Sequence, residues 1–120
     1  MRATLVKTLS FDAAHCLPSL PEGHKCRRLH GHTFVVEVAV EGEVDPQTGM
    51  VRDYAEISDA AQPVIEQLDH RYLNDIPGLA NPTSEALARW LWDRLKPLLP
   101  GLTCLTVKES DTARCEYRGQ

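Results

Sequence analysis

The chain has 120 residues, 42% of them hydrophobic and 25% charged, the proportions of an ordinary globular domain. Seven Gly, eight Pro and four Cys exclude the collagen-like, low-complexity and disulfide-scaffold classes, and the length fits a single domain over residues 1–120. Thirteen Lys and Arg against 17 Asp and Glu leave a net charge of −4, which lacks the global positive field of a duplex nucleic-acid binder.

From Met1 to Leu9 the chain carries Arg2 and Lys7 and has no continuous apolar stretch of signal-peptide length. No run approaches the ~18 apolar residues of a membrane span. The expectation is a cytoplasmic protein with reduced thiols and neither a membrane nor a nucleic-acid partner.

The segment Thr4–His15 alternates: Leu5, Leu9, Phe11 and Ala13 share one parity, Lys7 is the exception, and His15 falls on the same side. Residues 16–29 hold Pro18, Pro21 and Gly23 and read as a loop. A loop that long in a small domain is usually functional or disordered. In His30–Glu41, Phe34, Val36, Val38 and Val40 form one face and Thr33, Glu37 and Glu41 the other, a half-buried strand. Asp45-Pro46-Gln47-Thr48-Gly49 is a turn signal.

Asp53 opens a helix, with Glu56 in capping-box position. Tyr54, Ile57, Ala61, Val64 and Leu68 line one stripe, and Pro63 is expected to kink or split the helix near Gln62. A second helix starts after Asn81-Pro82, with Thr83 or Ser84 as N-cap and Glu85 at the positive end of the dipole. Leu87, Trp90, Leu91, Leu95 and Leu98 give its apolar face, Trp92 lies off the stripe, and Pro97 and Pro100-Gly101 end it. Short strands follow at Thr103–Glu109 and Ala113–Tyr117. The order ββααββ implies an α+β fold, a four-stranded antiparallel sheet with two helices on one face. Its two edges need covering, or pairing with another subunit.

The strongest chemical signal is Cys26-Arg27-Arg28-Leu29-His30-Gly31-His32. Two positions apart on a strand, His30 and His32 point to one face, the face of Phe34 and Val36. If the first two strands pair, His15 joins them at one sheet end. Three neutral imidazoles bind zinc and leave a fourth position open, the catalytic arrangement. Surface histidines on a strand edge would look the same, and Cys26 could instead close a structural four-ligand site. Cys26 reads either as a small buried hydrophobe or, among His24, Lys25, Arg27 and Arg28, as a thiolate able to act as base or nucleophile. The same basic residues suit a phosphate or a solvated loop.

Asp69-His70 ends the first helix's stripe. Adjacent side chains do not easily pair with each other, but both can reach a third group, and a carboxylate can fix an imidazole's tautomer. The bland alternative is a helix-terminal His facing the dipole. Glu109 shares parity with Leu105 and Val107. A carboxylate on an apolar face needs a partner, such as an amino-pyrimidine edge offering two parallel hydrogen bonds, unless it faces water at the strand end.

Ala14-His15, His24-Lys25-Cys26, His30-Gly31-His32, Leu68-Asp69-His70-Arg71-Tyr72-Leu73-Asn74, Asn81-Pro82-Thr83-Ser84-Glu85, Val107-Lys108-Glu109 and Tyr117-Arg118-Gly119 span nearly the whole chain. Together they resemble the 6-pyruvoyltetrahydropterin synthase family, and within it the bacterial 6-carboxytetrahydropterin synthases of queuosine biosynthesis. The resemblance implies the tunnelling fold: three four-stranded sheets join as a barrel, and two trimers stack as a homohexamer. It implies Zn²⁺ on His15, His30 and His32, Cys26 as catalytic thiolate, and Asp69 and His70 as a proton relay from a neighbouring subunit. Glu109 would anchor the pterin edge, with Thr83, Ser84 and Glu85 lining the pocket. The implied reaction is conversion of 7,8-dihydroneopterin triphosphate to 6-carboxy-5,6,7,8-tetrahydropterin, with release of acetaldehyde and triphosphate. Zinc would act as a Lewis acid, and no glycine-rich dinucleotide fingerprint is present. The rival readings are triphosphate elimination to 6-pyruvoyltetrahydropterin and a non-catalytic, zinc-stabilised pterin-binding module.

Overall fold

Alternation of apolar and polar residues becomes a long hairpin in the computed structural model, which describes residues 1–120. Strand β1 (Arg2–His15) pairs antiparallel with β2 (His30–Glu43) over its full length. The register places Phe11 opposite Phe34, Ala13 opposite His32 and His15 opposite His30. Leu9, Phe11, Ala13, Phe34, Val36, Val38 and Val40 are buried together, since residues two apart on a strand share a face.

The chain returns as β3 (Leu102–Ser110) against β2 and β4 (Ala113–Tyr117) against β3, in the order β1-β2-β3-β4, all antiparallel. Both β1 and β4 are edges. Gly101 is obligatory at the start of β3, because a Cβ there would lie 2.6 Å from the Glu41 carbonyl oxygen. Helix α1 (Tyr54–Glu66) packs on β1, and α2 (Ser84–Leu95) packs on β3 and β4. Leu87, Leu91 and Leu95 meet Leu105 and Val107 in one core. Neither helix is long and apolar enough to cross a membrane.

Several local expectations change. The helix α1 runs through Pro63 and is not split at Gln62. Pro63 and Asp59 are both exposed, on the side where water can satisfy the Asp59 carbonyl that proline leaves without its helical donor. Tyr54 and Leu98, assigned to apolar stripes, are each 53% exposed, and Ile65 and Leu99 are buried in the core. Asp53 caps α1 by accepting from Ala55 N at 2.9 Å, and Thr83, not Ser84, caps α2 by accepting from Ala86 N at 3.1 Å. Trp92 leaves the stripe to meet Tyr117 edge-on. The loop at 16–29 contains a short 3-10 turn, Lys25–Arg27, and a second forms at Leu73–Asp75.

Candidate active site

The paired ends of β1 and β2 gather His15, His30 and His32. Their ring centroids stand 4.6 Å (His15–His30), 5.1 Å (His15–His32) and 4.8 Å (His30–His32) apart. One nitrogen from each falls within 4.8 Å of the others. Phe34 forms an apolar floor, 5.4 Å centroid to centroid from both His15 and His32.

Two backbone carbonyls set the rings. His15 Nδ1 lies 2.8 Å from Pro82 O, and His30 Nδ1 lies 2.7 Å from Arg28 O. A carbonyl only accepts, so each Nδ1 carries a proton, which leaves Nε2 as the nitrogen available to a metal. His15 is fully buried, and burial holds its pKa below the ordinary imidazole value, partly offset by the Pro82 bond. The Nε2 atoms of His15 and His32 are buried with no hydrogen-bond partner. Buried polar atoms are rarely left unpaired, and neutral, converging imidazoles are the donor set zinc takes. The residues therefore fit a metal ion. Cys26 stands outside this three-histidine group.

Glu109 extends the site from β3. Ser84 Oγ donates to Glu109 Oε1 at 2.9 Å, and Glu109 Oε2 lies 3.8 Å from His32 Nε2. These three residues, with Glu85 and Cys115, line one open cleft of about 510 Å³. Burial raises the Cys115 thiol pKa. Thr83 is engaged as the α2 cap, its hydroxyl hydrogen still free to donate.

Cys26 is half-buried in the basic loop. Its amide donates to His24 Nδ1 at 3.1 Å, and its carbonyl accepts from Leu17 N at 2.7 Å. The loop is thereby tied to the chain two residues beyond His15. Arg27 Nη1 donates to Leu20 O at 3.0 Å, bracing the loop.

Asp69 and His70 do not join the histidines. They sit with Asp12 in a second group. Asp12 alternates with Ala13 and so belongs to the sheet face opposite the buried side. Asp69 Oδ1 accepts from Asp12 N at 3.0 Å, and His70 N donates to Asp12 O at 2.6 Å. That Asp12 amide, followed by the His70 contact, holds the Asp69 carboxyl below its ordinary value. Contrary to the expectation for adjacent residues, His70 Nδ1 meets Asp69 Oδ2 at 3.0 Å. His70 has φ 57°, and this left-handed turn brings the neighbouring side chains together. His70 borders an open cleft of about 640 Å³ whose lining also includes Asp12, His32, Thr33 and Tyr72.

Sequence reasoning missed Asp12, whose opposite parity was legible but lacked a partner. It also missed the Pro82 and Arg28 carbonyls, since a backbone atom carries no compositional signal, and Cys115, visible only as an ordinary strand residue.

The family model for 6-pyruvoyl tetrahydropterin synthase matches residues 4–120. The chain is 43% identical to the 6-carboxy-5,6,7,8-tetrahydropterin synthase of Synechocystis sp., over 94% of this chain and 91% of that protein. It is 41% identical to the dihydroneopterin monophosphate aldolase of Pyrococcus furiosus, over 84% and 82% of the two chains. The structure superposes on 6-pyruvoyl tetrahydropterin synthase of Caenorhabditis elegans with a TM-score of 0.91 at 31% identity, covering 100% of this chain and 97% of that one.

Proposed function

The chain belongs to the 6-pyruvoyl tetrahydropterin synthase family, and on that premise we propose that it makes 6-carboxy-5,6,7,8-tetrahydropterin for queuosine biosynthesis. The substrate is 7,8-dihydroneopterin triphosphate. One water is consumed, and acetaldehyde and triphosphate leave. The observation that carries this reading is the convergence of three imidazoles, one of which, His32, stands beside Glu109 and shares its cleft.

His15, His30 and His32 would hold Zn²⁺ through the nitrogens left free, and when bound it would supply Lewis-acid polarisation of the oxygens of the substrate side chain. Glu109 accepts two parallel hydrogen bonds from the pterin amino group and adjacent ring N–H, its carboxylate held in place by Ser84. Glu85 and the free hydroxyl hydrogen of Thr83 border the same ring. Cys26 takes a proton from the side-chain carbon next to the ring. The Asp69–His70 pair returns a proton, with Asp69 keeping the imidazole oriented. The side chain itself is oxidised while the ring is reduced, so no nicotinamide or flavin enters. Lys25 and Arg28 meet the triphosphate.

The dyad shares a sheet face with Asp12, whereas His15 lies on the other face. In the proposed assembly it serves the metal site of a neighbouring copy. A homohexamer built from two trimeric barrels would supply that neighbour and cover both sheet edges.

The deciding experiment supplies dihydroneopterin triphosphate and, separately, dihydroneopterin monophosphate, with bound metal measured on the same sample. The expected result is acetaldehyde and the carboxy product from the triphosphate, with stoichiometric zinc. A pyruvoyl product without acetaldehyde identifies simple triphosphate elimination. Cleavage of the monophosphate alone identifies an aldolase. Zinc without turnover of either leaves only a binding module.

A further inference from the structure

We infer that Asn74 is a positioning residue for the metal centre: its carboxamide fixes both the strand end that bears His15 and the loop that holds the His15 ring. This rests on the reading of His15, His30 and His32 as metal ligands.

The pairing of β1 with β2 ends with His15 opposite His30. Beyond that point β2 offers nothing to Cys16. Asn74 takes over. Its Oδ1 accepts from Cys16 N at 3.0 Å, and its Nδ2 donates to Cys16 O at 2.8 Å. This two-point pair imitates a neighbouring strand for one residue. The same Nδ2 lies 3.3 Å from Ala80 O. Ala80 precedes Pro82 by two residues, and the Pro82 carbonyl is the group 2.8 Å from His15 Nδ1. One side chain therefore ties the ligand's backbone to the ligand's ring acceptor.

Asn74 is itself held firmly. It lies in the 3-10 turn Leu73–Asp75, where Leu73 is fully buried and Asp75 N and Ile76 N bond back to Tyr72 O and Leu73 O at 3.1 and 3.0 Å. The chemistry of the position selects an amide. Two carbonyls require two N–H donors and one N–H requires an acceptor, and only Asn or Gln provides all three on one group. Asp would keep the bond to Cys16 N but turn an anionic oxygen toward the Cys16 and Ala80 carbonyls. The Cys16 thiol is a lesser contact, 3.5 Å from Nδ2 and 3.2 Å from Tyr72 Oη.

The test uses the full chain with Asn74→Ala and Asn74→Asp, and Cys16→Ser as a control. Zinc affinity is measured by competition with a chromophoric chelator, geometry by the visible bands of the Co²⁺-substituted protein, and folding by thermal melts of the metal-free form. Both Asn74 variants are expected to raise the zinc Kd by about 10-fold or more, in the range of outer-shell substitutions, and to shift and weaken the Co²⁺ bands. Cys16→Ser should leave both readouts unchanged. If Asn74→Ala does not fold, Asn74→Asp decides, since it keeps the volume and the Cys16 amide bond. Wild-type zinc affinity and Co²⁺ spectrum in a variant whose only change is a lower melting temperature would overturn the inference. Wild-type protein that binds neither metal would overturn the underlying metal site as well.

Discussion

His70 is the one non-glycine residue at positive φ, 57°, and that angle folds its ring onto Asp69 at 3.0 Å. Left-handed backbone at a non-glycine residue costs on the order of 1–3 kcal/mol and persists where surrounding contacts impose it. Here the His70 amide bond to Asp12 O, 2.6 Å, and the Ala14 N bond to Arg71 O, 3.1 Å, hold the segment against β1. Cys26 works differently, for its thiol stands apart from the three imidazoles. Replacing Cys26 with Ala should therefore leave stoichiometric zinc, measured by metal analysis, while turnover falls at least ~10²-fold, as for loss of a general base. Loss of zinc together with unfolding would instead make Cys26 a structural ligand. The three histidines were legible as residues because parity is a local property of a strand. The acceptor of the His15 ring was not, because it is a carbonyl 67 residues away.

Elements are where propensity and packing meet. The start of α1 was readable, since Asp53 is a good cap and it accepts from Ala55 N. Asp53→Ala should cost about 1 kcal/mol, lowering the thermal midpoint by roughly 3–6 °C with zinc content unchanged. A melt identical to wild type would mean the cap contributes nothing. The path through Pro63 was not readable. A proline breaks a helix by removing a donor and crowding the preceding turn, but its exposed side can be solvated while Ile57, Ala61, Val64 and Ile65 stay packed in the core. The gain on the buried face outweighs the local penalty. The same competition leaves Tyr54 outside, because a stripe read from spacing does not say how far the sheet extends beneath it.

At the scale of the molecule, the chain is long for its size. Its radius of gyration is 15.6 Å and its extents are 57 × 24 × 23 Å, against about 13.6 Å expected for a compact domain of this length. Two 14-residue strands make the long axis. The sheet face away from the helices carries exposed Thr4, Thr8, Ser10 and Asp12, and both edges are open. Open edges invite strand pairing, and closure into a barrel is one way a sheet removes them. In the proposed assembly, sedimentation at micromolar concentration should give a hexamer, and activity should fall with dissociation. A stable monomer with full activity would contradict a relay donated between copies.

Alternation along the strands, the Asp53 cap and the order ββααββ follow from neighbours in the chain, so they were determined by sequence alone. So was the presence of His15, His30 and His32 on one parity, whereas the choice of Thr83 over Ser84 as the α2 cap was made by the folded structure. Tertiary structure decided what long separation hides: that Asp69 docks on Asp12, that Ser84 orients Glu109, and that Asn74 and Pro82 together hold His15. Local rules act over a few residues, through the backbone and its period. Which distant groups meet depends on how the two helices pack across the sheet, and only the folded core settles that distance.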